Sequence, residues 1–127
     1  MVRMLVRCFL LFVAAMFVPF GAWSIIDPVQ MTSQLGVSVS GPSGIFEMRG
    51  VFGGVSLGAG ALCLAGGMLP RMARPALWFV SAYMGGYLLG RLASLLAGDS
   101  ALTANWFFAG TEAVIFLVAV LLLQRKP

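Results

Sequence analysis

Four long apolar runs dominate the pattern of hydrophobic and polar positions along the chain. They cover approximately residues 4–24, 45–69, 76–97 and 104–124. Each is close to the roughly 17–25 residues that cross about 30 Å of hydrocarbon. The runs lack the alternation of a membrane β-barrel, and in lipid a helix satisfies its own backbone groups within one segment. The pattern therefore predicts an all-α fold, a four-helix transmembrane bundle that forms a single polytopic membrane domain over residues 1–127.

The charges at the ends of the runs predict the orientation of the bundle. Four crossings place both termini and the connection between spans two and three on the same side. The basic residues there are Arg3, Arg7, Arg71, Arg74, Arg125 and Lys126. The opposite ends carry Asp27 and Asp99. Because basic residues are enriched in cytoplasmic segments, the N and C termini are expected to be cytoplasmic. Residues 70–75 are predicted to form a tight loop on that side, which makes the second and third spans antiparallel neighbours.

The one long connection, residues 25–44, contains the signals of a short helix. Asp27 is a typical N-cap, Pro28 suits the first helical position, Gln30 can complete a capping box and Gly36 can end the helix. We therefore expect a short extracytoplasmic helix on the outer surface between spans one and two.

The composition excludes several classes of function. Hydrophobic residues make up 61% of the chain and charged residues 9%, against about 45–50% and about 25% in an average soluble domain. The net charge of +4 lies at the span ends, which indicates insertion bias and anionic lipid contact rather than nucleic-acid binding. The chain has no His and only Cys8 and Cys63, too few ligands for a zinc site, a His-ligated haem or a four-Cys cluster. No cofactor is expected, and no nucleophile lies beside a base, so the sequence does not predict an enzyme.

Small residues form stripes on two of the spans. One side of span two carries Glu47, Gly50, Gly54, Gly58, Ala61 and Ala65, and one side of span three carries Ala82, Gly86, Gly90, Ala93 and Ala97. Close van der Waals packing drives helix association in lipid, so the predicted helix-packing residues are Gly50, Gly53, Gly54, Gly58, Gly86 and Gly90. Both spans contain Gly-Gly-x-x-x-Gly, 32 residues apart. Either an old duplication or independent selection of small residues would account for this repeat.

Four charged residues lie within the spans. Glu47 and Arg49 are in span two, Arg91 is in span three and Glu112 is in span four. Each costs roughly 2.5–3.5 kcal/mol at a span centre, so pairing or hydration is expected. The helical rise places all four roughly 7–12 Å below the outer surface. The sequence thus predicts a buried Glu/Arg cluster in the outer half, with Arg91 and Glu112 as its cross-helix ion pair.

Two interpretations of this cluster stay open. In the first, the ion pairs only fix helix register. In the second, the layer lines a polar pocket open to the outer leaflet, where Arg49 or Arg91 holds an anionic head group and Tyr83 and Tyr87 flank it. A transport path would need polar residues across the full depth of the membrane, and the inner half has charges only at its ends.

A longer string of residues resembles a known family. Residues 46–54 read Phe-Glu-Met-Arg-Gly-Val-Phe-Gly-Gly and are followed by Leu57-Gly58, Gly85-Gly86, Gly90-Arg91 and Glu112, with Pro28 and Leu35-Gly36 in the preceding loop. This pattern resembles an uncharacterised bacterial family of four-span proteins, the domain of unknown function 4345. A more distant likeness to DoxX-type four-helix membrane proteins rests on architecture alone. The resemblance implies that Glu47, Arg49, Gly53, Gly54 and Arg91 belong to the family pattern and that the protein lies in the bacterial inner membrane.

The function predicted from these features is that of an integral membrane protein that binds a lipid or lipophile or serves as an accessory subunit. A component of a small oligomeric transporter or channel is the alternative. The expected partners are membrane lipids, with a larger membrane complex or a homo-oligomer also open.

Overall fold

The computed structural model of the chain describes residues 1–125. Lys126, which contributes to the predicted orientation, lies outside the described residues. The described chain is helical with no strand, and four of its helices are long and apolar enough to cross a membrane: Val2–Ile26, Gly41–Met68, Pro70–Leu96 and Thr103–Leu123. This confirms the all-helical fold and the four membrane-length helices predicted from the sequence.

The elements follow one another with short connections. In chain order they are α1 (Val2–Ile26), α2 (Pro28–Gln34), α3 (Gly41–Met48), a π-helical segment (Arg49–Gly54), α4 (Val55–Met68), α5 (Pro70–Leu96) and α6 (Thr103–Leu123). The second membrane-length helix is thus built from α3, the π-helical segment and α4 without a break.

The predicted inner loop at residues 70–75 is wrong. These residues form the first turns of α5, and only Leu69 separates α5 from the end of α4. Pro70 is the first residue of α5. A backbone N–H at this position would have no partner within the helix, so its absence in proline breaks no helical hydrogen bond. Pro75 lies inside the helix and removes one backbone bond there. The antiparallel packing of α4 and α5 expected from a short connection is present.

The helix α2 begins and ends with well-formed caps. The Asp27 carboxylate accepts a bond from the backbone N–H of Gln30 (3.2 Å). The Gln30 half of the predicted capping box is not needed, because the N–H of Asp27 already donates to the Trp23 carbonyl (2.8 Å). At the other end Gly36 has φ +78°, which suits glycine, and the N–H of Val37 donates to the Thr32 carbonyl (3.0 Å). The face of α2 that carries Pro28, Met31 and Thr32 is buried in the fold.

The π-helical segment interrupts the regular winding of the second span. Its sequence, Arg49-Gly50-Val51-Phe52-Gly53-Gly54, has three glycines whose lack of side chains lets the backbone widen locally. A π-helical turn holds more residues than an α-helical turn, so the faces of α3 and α4 are not in one continuous helical register.

The hydrophobic core lies in one half of the bundle. Its fully buried side chains include Leu10 and Val13 of α1, Cys63 of α4, and Leu77 and Val80 of α5. The helix α6 adds Ile115 and Ala119 to this cluster. The helices pack in the order α1, α4, α5, α6, whereas α1 and α6 touch at few points.

The two ends of the bundle differ, and we name them by their contents. The arginine end holds Arg3, Arg7, Arg71, Arg74 and Arg125 together with the start of α1, the α4–α5 turn and the end of α6. The loop end holds α2 and the turn at residues 97–102. The core lies nearer the arginine end than the loop end.

Glycines bring α1 and α4 close together. A Cβ at Gly21 would lie 2.9 Å from the Gly53 carbonyl oxygen and 3.0 Å from the Leu57 nitrogen. A Cβ at Gly60 would lie 2.6 Å from a Val18 methyl. A Cβ at Gly67 would lie 2.7 Å from Leu11. Such close van der Waals contacts hold helices together in lipid.

Candidate functional site

The predicted ion pair between Arg91 of α5 and Glu112 of α6 is formed. Arg91 Nε donates to Glu112 Oε1 (2.6 Å) and Nη2 donates to Oε2 (3.0 Å), a two-bond geometry that also fixes the planes of both groups. The Arg91 side chain is 32% exposed and that of Glu112 is 13% exposed. The pair joins two neighbouring helices and leaves part of the guanidinium accessible.

Tyr83 and Tyr87 continue the line of Arg91 along α5. Their hydroxyls are 3.3 Å apart and one donates to the other. The Tyr83 ring stacks on Phe79 with centroids 5.2 Å apart, and Phe17 of α1 meets the Tyr83 ring edge-on. These aromatic contacts hold both hydroxyls on the same side of α5 as the guanidinium.

A groove of about 590 Å³ opens beside these residues in the loop-end half. It is lined by Leu35, Val37, Phe52, Tyr83, Gly86, Tyr87, Gly90, Arg91, Ser94 and Asn105. Gly86 and Gly90 lie in this lining, and a Cβ at either position would meet no atom within 4 Å among residues 1–125. The bare backbone of α5 therefore widens the groove and is not covered by another helix.

Asn105 fixes the end of the groove nearest the loops. Its Nδ2 donates to the Leu35 carbonyl at the end of α2 (3.0 Å), and its Oδ1 accepts from the N–H of Leu102 (2.9 Å). Nearby, the Ser94 hydroxyl donates to an Asp99 carboxylate oxygen (2.5 Å). A smaller cavity of about 150 Å³ also reaches Arg91, Ser94 and Asn105 from the side of Trp106. Arg91 thus borders two spaces in the loop-end half.

Arg49 lies apart from the Arg91–Glu112 pair. Its Nε donates to the Ile25 carbonyl, one of the last carbonyls of α1 (2.9 Å). The residues that share its side of the second span, Gly53 and Ser56, are buried. Arg49 therefore joins α1 to the π-helical segment, and the ion pair of Arg91 and Glu112 does not include it.

Glu47 is exposed, and the structure gives it no ion-pair partner among residues 1–125. The stripe that it heads, with Gly50, Gly54 and Gly58, also faces outward. Among the six glycines predicted to pack helices, Gly53 meets Ile25. A Cβ at Gly50, Gly58, Gly86 or Gly90 would find open space among the described residues, and one at Gly54 would meet only the carbonyl of Arg49. Contact of these outward glycines with another chain stays a prediction.

Phe52, Leu35 and Val37 are groove residues that the sequence does not identify. They come from the π-helical segment and from the end of the α2 region, and no sequence signal places these segments opposite α5. Their contribution makes one wall of the groove apolar, while Tyr83, Tyr87 and Arg91 make the other polar.

The side chains of the groove offer hydrogen-bond donors and acceptors. A guanidinium has five N–H donors, and Arg91 uses two of them on Glu112. Tyrosine hydroxyls both donate and accept. Among residues 1–125, no three His, Cys, Asp or Glu side chains come together as a metal site. The groove can therefore hold a molecule that has an apolar part and a hydrogen-bond acceptor.

Comparison with known proteins identifies one family. No curated protein and no solved structure gives a significant match to the chain. A family described as Domain of unknown function (DUF4345) matches residues 5–123, which include all of the groove residues. Since this match covers nearly the whole chain, the protein belongs to the DUF4345 family, an uncharacterised domain family.

Proposed function

We propose that this protein is an integral protein of the bacterial inner membrane that binds a lipophile in the groove between α5 and the π-helical segment. The observation that carries the proposal is the open backbone of Gly86 and Gly90 in the groove wall, next to the accessible part of Arg91. Sites for small molecules are mostly apolar with a few converging polar groups, and the groove has this composition.

The ion pair defines which head group fits. Glu112 already neutralises Arg91, so a second anion would find little net positive charge there. The groove therefore favours an uncharged or zwitterionic acceptor, such as a carbonyl or ester, over the anionic head group expected from the sequence. Tyr83 and Tyr87 supply hydroxyls for the same acceptor.

Mass spectrometry of the protein extracted gently from its own membrane tests this proposal. We expect the wild type to keep one defined lipophilic mass. The substitution Gly90→Leu places a side chain in the groove, and its Cβ meets no atom within 4 Å, so it should weaken binding about tenfold and lower the retained mass. Leucine also favours helix over glycine, which keeps the fold intact.

Gly58→Leu is the matched control, because Gly58 is an equally open glycine that does not line the groove. It should leave the bound mass unchanged. A wild type without a retained mass, or equal retention in both variants, would reject the groove as a binding site.

The outward glycines of the second span favour a second candidate, an accessory subunit. Gly50, Gly54 and Gly58 are exposed and leave backbone that a helix of another chain could approach closely. In this case Gly58→Leu, and not Gly90→Leu, would dissociate a larger protein from the extracted complex. One experiment therefore tests both candidates: Gly90→Leu tests lipophile binding with Gly58→Leu as its control, and Gly58→Leu tests the accessory subunit with Gly90→Leu as its control.

A further inference from the structure

A second large cavity lies at the arginine end, far from the groove. Its volume is about 410 Å³, and it opens between the start of α1, the α4–α5 turn and the end of α6. Four of its lining residues are arginines: Arg3, Arg7, Arg74 and Arg125. We call it the arginine pocket.

The positive charge of the arginine pocket is uncompensated by the side chains around it. The chain has four acidic residues, Asp27, Glu47, Asp99 and Glu112, and none of them lines the pocket. Arg91 in the groove differs in this respect, because Glu112 neutralises it. Four guanidiniums around one space favour the binding of an anion.

Two of these arginines are held in place by the backbone. Arg7 Nε donates to the Gly67 carbonyl (3.0 Å), and Arg74 Nη1 donates to the Leu123 carbonyl (3.3 Å). Both acceptors lie at the C-terminal ends of helices, where carbonyls lack partners within the helix. Each guanidinium is thereby oriented, and each has further N–H donors for the oxygens of an anion.

The other walls of the pocket are apolar. Val2 and Val6 of α1, Leu77 of α5 and Leu122 of α6 supply them. A free inorganic anion would make no use of these side chains, whereas a lipid has both an anionic head and an apolar part.

We propose that the arginine pocket binds the phosphate group of an anionic lipid, with its apolar part against Val6, Leu77 and Leu122. This proposal is independent of the groove. It also goes beyond the general attraction of basic span ends to acidic membranes, because it requires the arginines that line the pocket. Arg71 lies at the same end and does not line it.

The test measures lipid retention by native mass spectrometry on delipidated protein. The protein is incubated with phosphatidylglycerol or with phosphatidylcholine of the same acyl chains, and a third sample receives phosphatidylcholine and inorganic phosphate. We expect one retained phosphatidylglycerol. Arg3→Gln should weaken this binding about fivefold, the factor for one basic residue at a charged lipid surface, whereas Arg71→Gln removes the same charge and should leave binding unchanged.

Ala73→Leu adds a shape test, because it narrows the pocket and keeps all of its charges. It should reduce retention of phosphatidylglycerol, while Gly90→Leu, in the groove, should not. Equal weakening by Arg3→Gln and Arg71→Gln would overturn the proposal in favour of a diffuse surface charge. Retention of inorganic phosphate without phosphatidylglycerol would overturn the lipid as the source of the phosphate group. Loss of the lipophile from the groove in Gly90→Leu tests the proposed function of the groove and does not test the arginine pocket.

Discussion

Three arginines of this protein donate to backbone carbonyls at helix ends. Arg7, Arg49 and Arg74 donate to the carbonyls of Gly67, Ile25 and Leu123, close to the C-terminal ends of α4, α1 and α6. Such carbonyls carry the negative end of the helix dipole, so a cation stabilises them. A single sequence shows where helices end but not which arginine reaches which end. For this reason the sequence groups Arg49 with the acidic residues only by its predicted depth in the membrane.

The ion pair of Arg91 and Glu112 leads to a prediction at the residue scale. Arg91→Glu and Glu112→Arg each place two like charges together, so each should lower the stability of the protein by about 1–3 kcal/mol, the smaller end reflecting the partial exposure of Arg91. The double swap restores opposite charges and should recover most of the folded protein. Thermal unfolding in detergent measures the difference.

The control for this swap combines Arg91→Glu with Glu47→Arg. It exchanges the same residue types, but Glu47 lies on another helix and is not bonded to Arg91. This second double variant should be no more stable than Arg91→Glu alone. If both double variants recover equally, the gain comes from total charge and not from the pair.

At the scale of elements, the sequence predicted which residues share a helix face but not which face turns inward. The 3.6-residue period groups Gly50, Gly54 and Gly58 on one side, and all three are exposed in the structure. In a soluble protein polarity would then mark the outside, but in lipid both sides of a helix are apolar. The interface with α1 is instead made by Gly53 and Gly60.

Helix lengths, by contrast, could be predicted because the membrane requires them. All four spans follow from runs of about 20 apolar residues. The start of α5 at Pro70 and the π-helical segment could not be read in the same way, because both depend on local backbone winding and not on hydrophobicity. The Arg91–Glu112 pair was predictable because unpaired charges in lipid are costly, whereas the opposite apolar wall of the groove gave no such signal.

The interface of α1 and α4 gives a prediction at this scale. A Cβ at Gly21 would meet the backbone of Gly53 and Leu57, which cannot rotate away. We expect Gly21→Ala to destabilise the bundle by about 1–3 kcal/mol through overpacking. Gly50→Ala meets no neighbour and should be neutral or stabilising, since alanine favours a helix. Unfolding in denaturing detergent compares the two, and equal loss in both would contradict the close approach of these helices.

At the scale of the whole molecule, the two ends have separate tasks in our proposals. The loop-end half carries a groove next to a neutralised ion pair, and the arginine end carries a pocket with four cationic side chains. The core lies nearer the arginine end.

The orientation of the bundle is testable by labelling in intact cells. In a Cys8→Ser background, Ser38→Cys places an exposed thiol in the connection between α2 and α3, and Gln124→Cys places one at the arginine end. We expect a membrane-impermeant maleimide to label Ser38→Cys in intact cells and Gln124→Cys only after permeabilisation. The reverse pattern would place the arginine end outside.

The separation of charge along the bundle makes the protein an electric dipole across the membrane. Five arginines lie at the arginine end, whereas the other half holds all four acidic residues and only two arginines, Arg49 and Arg91. Moving one elementary charge across 100 mV involves about 2.3 kcal/mol. With the arginine end on the negative side, the resting potential of an energised cell therefore pulls on the folded protein in the direction in which it was inserted. Dissipating the potential would remove this pull, and a fully inverted copy would be under an opposing electrical force.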